Sequence, residues 1–72
     1  MNDDTTTTYT VRGMTCEHCV ASVTEEVSEV PGVSEVAVDL ASGAVTVRGS
    51  GPIDDAAIAA AVTEAGYELV AS

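Results

Sequence analysis

Seventy-two residues suffice for one small domain, and their apolar share of 46% is built from small groups, twelve valines and eleven alanines against two leucines, two isoleucines and no phenylalanine or tryptophan. A core of that kind fits thin layers, with helices packed close on a sheet, near the lower size limit for folding without a staple. Twelve acids oppose two arginines and no lysine, a net charge of −10, which argues against nucleic acid or anionic lipid as partners.

The chain opens on Asn2-Asp3-Asp4 and a run of threonines, lacking the basic start and apolar stretch of a secretory signal, and no run is long enough for membrane insertion. The expected location is therefore cytoplasmic, where thiols stay reduced and a CxxC points to metal binding or catalysis. A start at Met1 and an end soon after the last strand favour a complete small protein. The acidic excess fits a halophilic cytoplasm of very high salt, with an ordinary acidic surface as the alternative.

Residues 1–5 are expected to fray. From Thr6 to Arg12 the residues alternate, with Tyr9 and Val11 on one face and Thr8, Thr10 and Arg12 on the other, which predicts a half-buried strand. Gly13 breaks it. From Glu17 to Val30 apolar residues recur at Val20, Val23, Val27 and Val30 with acids and small polar residues between them, which predicts a helix ended by Pro31-Gly32. Valine is a mediocre helix former, so packing must override propensity here. Val33 to Leu40 alternates again, with Val36, Val38 and Leu40 on one face. Ala41-Ser42-Gly43 turns the chain, and Ala44 to Arg48 returns with Val45 and Val47 inward, an antiparallel hairpin. Gly49-Ser50-Gly51-Pro52 reads as a loop and Asp54 as an N-cap. A second helix is expected from Asp55 to Ala65, with Ile58, Ala61, Val62 and Ala65 inward and Gly66 as its stop. Tyr67 to Ala71 makes a last strand. The order β-α-β-β-α-β predicts an α+β, ferredoxin-like sandwich: a four-stranded antiparallel sheet with both helices on one face.

The chemistry concentrates in Gly13-Met14-Thr15-Cys16-Glu17-His18-Cys19, which holds both cysteines and the single histidine. Cys16 and Cys19 are three apart, so the first turn of a helix brings their sulfurs to one side. Unpaired N–H groups and the helix dipole at that end favour thiolate, the form a metal ligand or nucleophile needs. Soft thiolates favour Cu(I), while a closed zinc site wants four ligands, more than two thiols and one imidazole supply. Other soft metals fit the same donors. Two sulfurs leave an open position through which a partner's thiolate enters, which suits a carrier. His18 reads as a solvated residue on the exposed side of the helix, with tuning of Cys19 or a shared second metal in a dimer as its functional alternative. Glu17 is a favourable acid of the first turn.

Gly13-Met14-Thr15-Cys16-x-x-Cys19 after a first strand, Pro31-Gly32-Val33 after the first helix and Ala65-Gly66-Tyr67 before the last strand together resemble the heavy-metal-associated domain over residues 7–71. Within that family a chain of this size resembles the free-standing bacterial and archaeal copper chaperones. The resemblance implies Cys16 and Cys19 as metal ligands, with Gly13, Met14, Thr15, His18 and Tyr67 supporting the loop. Met14 then points into the core as an anchor, and Tyr67 approaches the loop from the far end of the second helix. It also implies a non-enzymatic protein that hands Cu(I) to the metal-binding domain of a copper-transporting P-type ATPase or to a copper-responsive regulator. The apo form is then a monomer, and a metal-bridged dimer is compatible with the exposed pair. A mercury-binding protein or a detached ATPase domain would share the fold. A thioredoxin-like dithiol oxidoreductase is the rival of another class, disfavoured because no aromatic precedes Cys16 and no proline precedes a late strand.

Overall fold

The computed structural model describes residues 4–71. The elements run β1 (Asp4–Arg12), α1 (Glu17–Ser28), β2 (Val33–Asp39), β3 (Ala44–Ser50), α2 (Asp55–Glu64) and β4 (Glu68–Ala71). The strands form one sheet in the order β2-β3-β1-β4, with every neighbouring pair antiparallel. This is the expected ferredoxin-like sandwich.

Strand alternation decides what faces the helices. Tyr9 and Val11 of β1 and Val45 and Val47 of β3 are buried, and they meet Val23 and Val27 of α1 and Ile58, Ala61 and Val62 of α2. Thr6, Thr8, Thr10 and Arg12 project from the open face of β1. There Thr8 Oγ1 lies 3.3 Å from Thr46 Oγ1, the kind of cross-strand pair that stabilises a solvated sheet face. On the edge strand β2, Val36 and Val38 are half-buried, and the register slips between Val33 and Glu35.

Several boundaries differ from those the sequence predicts. Asp4 and Thr5, expected to fray, are paired with Ser50 and Gly49; residues 1–3 lie outside the described residues. α1 stops at Ser28, two residues before Val30, because the residue ahead of Pro31 is pushed out of helical conformation. Leu40 belongs to the turn rather than to β2, and Tyr67 precedes β4. α2 itself ends at Glu64, with Ala65 as its C-cap.

The largest difference is at Gly49-Ser50, which continue β3 instead of forming a loop. The Ser50 N–H donates to the Gly32 carbonyl at 3.0 Å, and a Cβ on Gly49 would run into that same carbonyl oxygen. Glycine serves here as a point of close backbone approach inside a strand, which its usual association with loops conceals.

Polar ties fix α2 over the sheet. Asp54 caps the helix by accepting from the Ala56 N–H at 3.0 Å. The buried Tyr9 hydroxyl donates to Asp55 Oδ1 at 2.6 Å, so a β1 side chain is latched to the first turn of α2 through the apolar layer.

Candidate metal centre

The site grows from the end of β1. Gly13 has φ +102, a left-handed conformation that L side chains resist. A Cβ built on it would stand 3.3 Å from the Tyr67 ring, so glycine both turns the chain and leaves room for that aromatic. Met14 follows, half-buried and packed against the core cluster, in the anchoring position the resemblance implied.

Cys16 is the N-cap of α1, with extended backbone angles of φ −157 and ψ 174. Its carbonyl accepts from the N–H groups of Cys19 and Val20 at 3.0 and 3.3 Å, starting the helix. Its side chain makes no capping bond and is exposed. Cys19 sits in the first turn and is buried. The two sulfurs are 3.4 Å apart. One sulfur faces solvent and the other closes the inner side of the loop.

The environment of Cys19 favours its anion. Its pKa is lowered from 9.0 to about 6, chiefly by the Tyr67 hydroxyl and then by the Thr15 backbone N–H and the Cys16 thiol, against the opposing effect of burial. The Thr15 N–H lies 3.5 Å from Cys19 Sγ and its Oγ1 3.9 Å away. The pKa of Tyr67 is raised in turn, first by Cys19 and then by burial. Tyr67 thus bears on the loop twice, with its ring beside Gly13 and its hydroxyl lowering the Cys19 pKa.

Glu17 and His18 are both exposed. Among the described residues, no third Cys, His, Asp or Glu joins the sulfurs in a group of ligand atoms within 4.8 Å; the one such group is Glu25, Glu26 and Glu29 on the outer side of α1. His18 is therefore not brought together with the cysteines into a three-ligand site. Those three acids offer only hard oxygen donors, near the end of a helix whose last turn has no basic residue.

The structure assembles Gly13, Met14, Thr15, Cys16, Cys19 and Tyr67 around one loop and leaves His18 on the outside. Two features were missed from sequence. Thr15 acts through its backbone N–H, which no residue pattern reports. The Tyr9–Asp55 bond joins residues 46 apart in sequence, and a lone tyrosine within a threonine-rich strand was its only signal. No helix among the described residues is long and apolar enough to cross a membrane.

A paired-thiol loop at one edge of a ferredoxin-like sandwich is the arrangement of a soft-metal-binding module. The chain belongs to the heavy-metal-associated domain family, whose model matches residues 8–68. It is 48% identical over 59 residues to the COP-associated protein of Helicobacter felis, covering 82% of this chain and 89% of that one. It is 40% identical over 63 residues to the copper chaperone CopZ of Bacillus subtilis, covering 86% and 91% respectively. It is also 44% identical over 61 residues to copper-transporting ATPase 1 of Rhizobium meliloti, covering 85% of this chain but 7% of the ATPase. Among solved structures, apo-CopP of Helicobacter pylori superposes with a TM-score of 0.78 at 33% identity, covering 92% of this chain and all of that one.

Proposed function

We propose that this protein is a copper chaperone that holds Cu(I) on Cys16 and Cys19 and passes it to a partner by thiolate exchange. The observation that carries the reading is the pair itself: two sulfurs 3.4 Å apart, one exposed and one buried, with no third ligand gathered beside them among the described residues. Soft sulfur donors select Cu(I), and a two-ligand set leaves zinc short of its tetrahedron. The exposed Cys16 is the sulfur an incoming thiolate meets first. Cys19, held by Thr15 and Tyr67, retains the ion until the second exchange completes the transfer. Nothing in this sequence of ligand exchanges needs catalytic acid–base chemistry, so the protein acts as a carrier rather than an enzyme.

The similarity to both free-standing chaperones and ATPase segments supports the metal-binding domain of a copper-transporting P-type ATPase as the receiving partner. A copper-responsive regulator is the second candidate, and the exchange belongs to a cytoplasm, where thiols stay reduced. The apo chain is a monomer in this reading, and the exposed pair is compatible with a metal-bridged dimer.

Anaerobic competition titration against a Cu(I) chelator tests the assignment. One Cu(I) per chain is expected, with zinc far weaker and tight binding lost in Cys16→Ser and in Cys19→Ser. Unchanged affinity in either variant overturns it.

A further inference from the structure

β1 is longer than the strand on its outer side. Its residues from Asp4 to Thr10 all pair with β3, but β4 reaches only Thr10, Val11 and Arg12. Among the described residues, no strand lies along the other edge of Thr5–Tyr9. We infer that this open edge is a docking site for an extended, lysine- or arginine-bearing segment of a partner protein, which pairs with it as an added strand in line with β4. The inference uses nothing of the metal loop and stands apart from the copper reading.

The register tells which backbone groups are on offer. The Val11 N–H donates to the Gly43 carbonyl at 2.8 Å, on the β3 side. Successive residues of an antiparallel strand alternate between hydrogen-bonded and non-hydrogen-bonded pairs, so Tyr9, Thr7 and Thr5 also turn their backbone groups to β3. Thr6 and Thr8 turn theirs outward. The 3.3 Å approach of the Thr8 and Thr46 hydroxyls agrees, since side chains come closest in non-hydrogen-bonded pairs.

Sheets commonly guard such edges with charge, proline, bulges or short length. The two outer strands are guarded in that way. β2 follows Pro31-Gly32, carries Glu35 and Asp39 and slips register, and β4 has four residues, beginning at Glu68. Thr5-Thr6-Thr7-Thr8-Tyr9 has no charge, no proline and strong strand propensity, and it pairs with β3 without a slip.

Charge selects the occupant. Asp54 caps α2 and Asp55 opens it, and the Tyr9 hydroxyl donates to Asp55 Oδ1 at 2.6 Å. That bond fixes two exposed acids on the helix side of this part of β1. On a chain of net charge −10 a second copy is repelled and a cationic strand attracted. Every second side chain of an added strand points to the helix layer, where lysine or arginine meets the aspartates. Thr6 lies seven positions before Gly13, about 20 Å along a strand, so the occupant leaves the metal loop uncovered.

The test titrates the full-length, isotope-labelled apo chain with a capped eight-residue peptide of alternating lysine and valine, followed by NMR. Shifts are expected at Thr5–Tyr9 and the start of α2, with slowed exchange of the Thr6 and Thr8 amides at saturation. The same peptide N-methylated at every residue keeps its charge but cannot form the ladder, and should bind weaker by about tenfold or more. A glutamate–valine peptide should not bind. The double variant Asp54→Asn, Asp55→Asn keeps a capping side chain and should weaken binding by about fivefold; unchanged affinity there overturns the cationic occupant. Equal binding of the N-methylated or acidic peptide, shifts centred on Gly13–Cys19, no binding at millimolar peptide, or a peptide-free dimer that already protects Thr6 and Thr8 each overturns the docking edge.

Discussion

The bond from Tyr9 to Asp55 is the polar tie by which β1 holds the first turn of α2, and Tyr9→Phe removes it while keeping the ring that fills the core. Tyr9 is 1% exposed, so phenylalanine leaves no stranded hydroxyl, and the exposed Asp55 is re-solvated by water. Hydrogen bonds to charged groups contribute about 1.5–3 kcal/mol, and exposure of the acceptor puts this one near the lower end, about 1.5 kcal/mol. In a domain of this size 1 kcal/mol moves the melting temperature by about 4–8 °C, so a fall of roughly 6–12 °C is expected at pH 7. The same contact has an alkaline signature. Burial, then the hydrogen bond to Asp55 and its charge, raise the Tyr9 pKa from 10.0 to about 12. The folded state thus keeps a proton that the unfolded chain releases above pH 10. This contribution to stability is fully present below pH 10 and is lost as pH rises from 10 through about 12. It amounts to roughly 3 kcal/mol for a shift of about two units. Tyr67 also titrates upward, but it is present in both chains and cancels in the difference. Urea melts of wild type and Tyr9→Phe from pH 7 to 12 should therefore show the variant less stable at neutral pH and less sensitive above pH 10. Coincident curves across the whole range would refute the latch between sheet and helix.

Four further outcomes are expected. Gly49→Ala should cost about 1–3 kcal/mol in urea melts, as overpacking does elsewhere, because its Cβ meets the Gly32 carbonyl; a cost near zero would show that the β2–β3 edge yields freely. Alkylation by iodoacetamide should label exposed Cys16 ahead of buried Cys19, and the Cys19 rate should level off above pH 7 and fall below about pH 6; Tyr67→Phe should move that midpoint upward, and an unmoved midpoint would remove Tyr67 as the main cause. The lowered Cys19 pKa likewise contributes apo stability that is fully present above about pH 9 and is lost as pH falls through about 6. Thermal melts of the apo chain should rise from 0.1 M to 1 M KCl, since the Debye length drops from about 10 Å to about 3 Å. Arg12 and Arg48 already face Glu68 and Glu35, leaving the acids of both helices without a lysine or arginine on either element; a flat melting temperature would end the high-salt reading.

The sequence by itself determined the element order, the buried face of each element and the reactive pair. Those depend on local periodicity: alternation at Tyr9 and Val11, three-and-four spacing from Val20 to Val27, and two thiols three residues apart at a strand-to-helix junction. Each is a property of a few neighbouring residues, and burying small side chains admits few other arrangements. The tertiary structure decided which of the residues named by the resemblance act on the pair and through which of their groups. Gly49 continues a strand because Gly32 approaches it across the sheet, and its loop-like neighbours gave no local sign of that contact. The Cys19 pKa falls to about 6 chiefly through the hydroxyl of Tyr67, 48 residues away in sequence. Tyr9 finds Asp55 only when α2 lies down on the sheet. Such contacts join groups that are distant along the chain, and their energies depend on separations of a few ångströms that only packing sets.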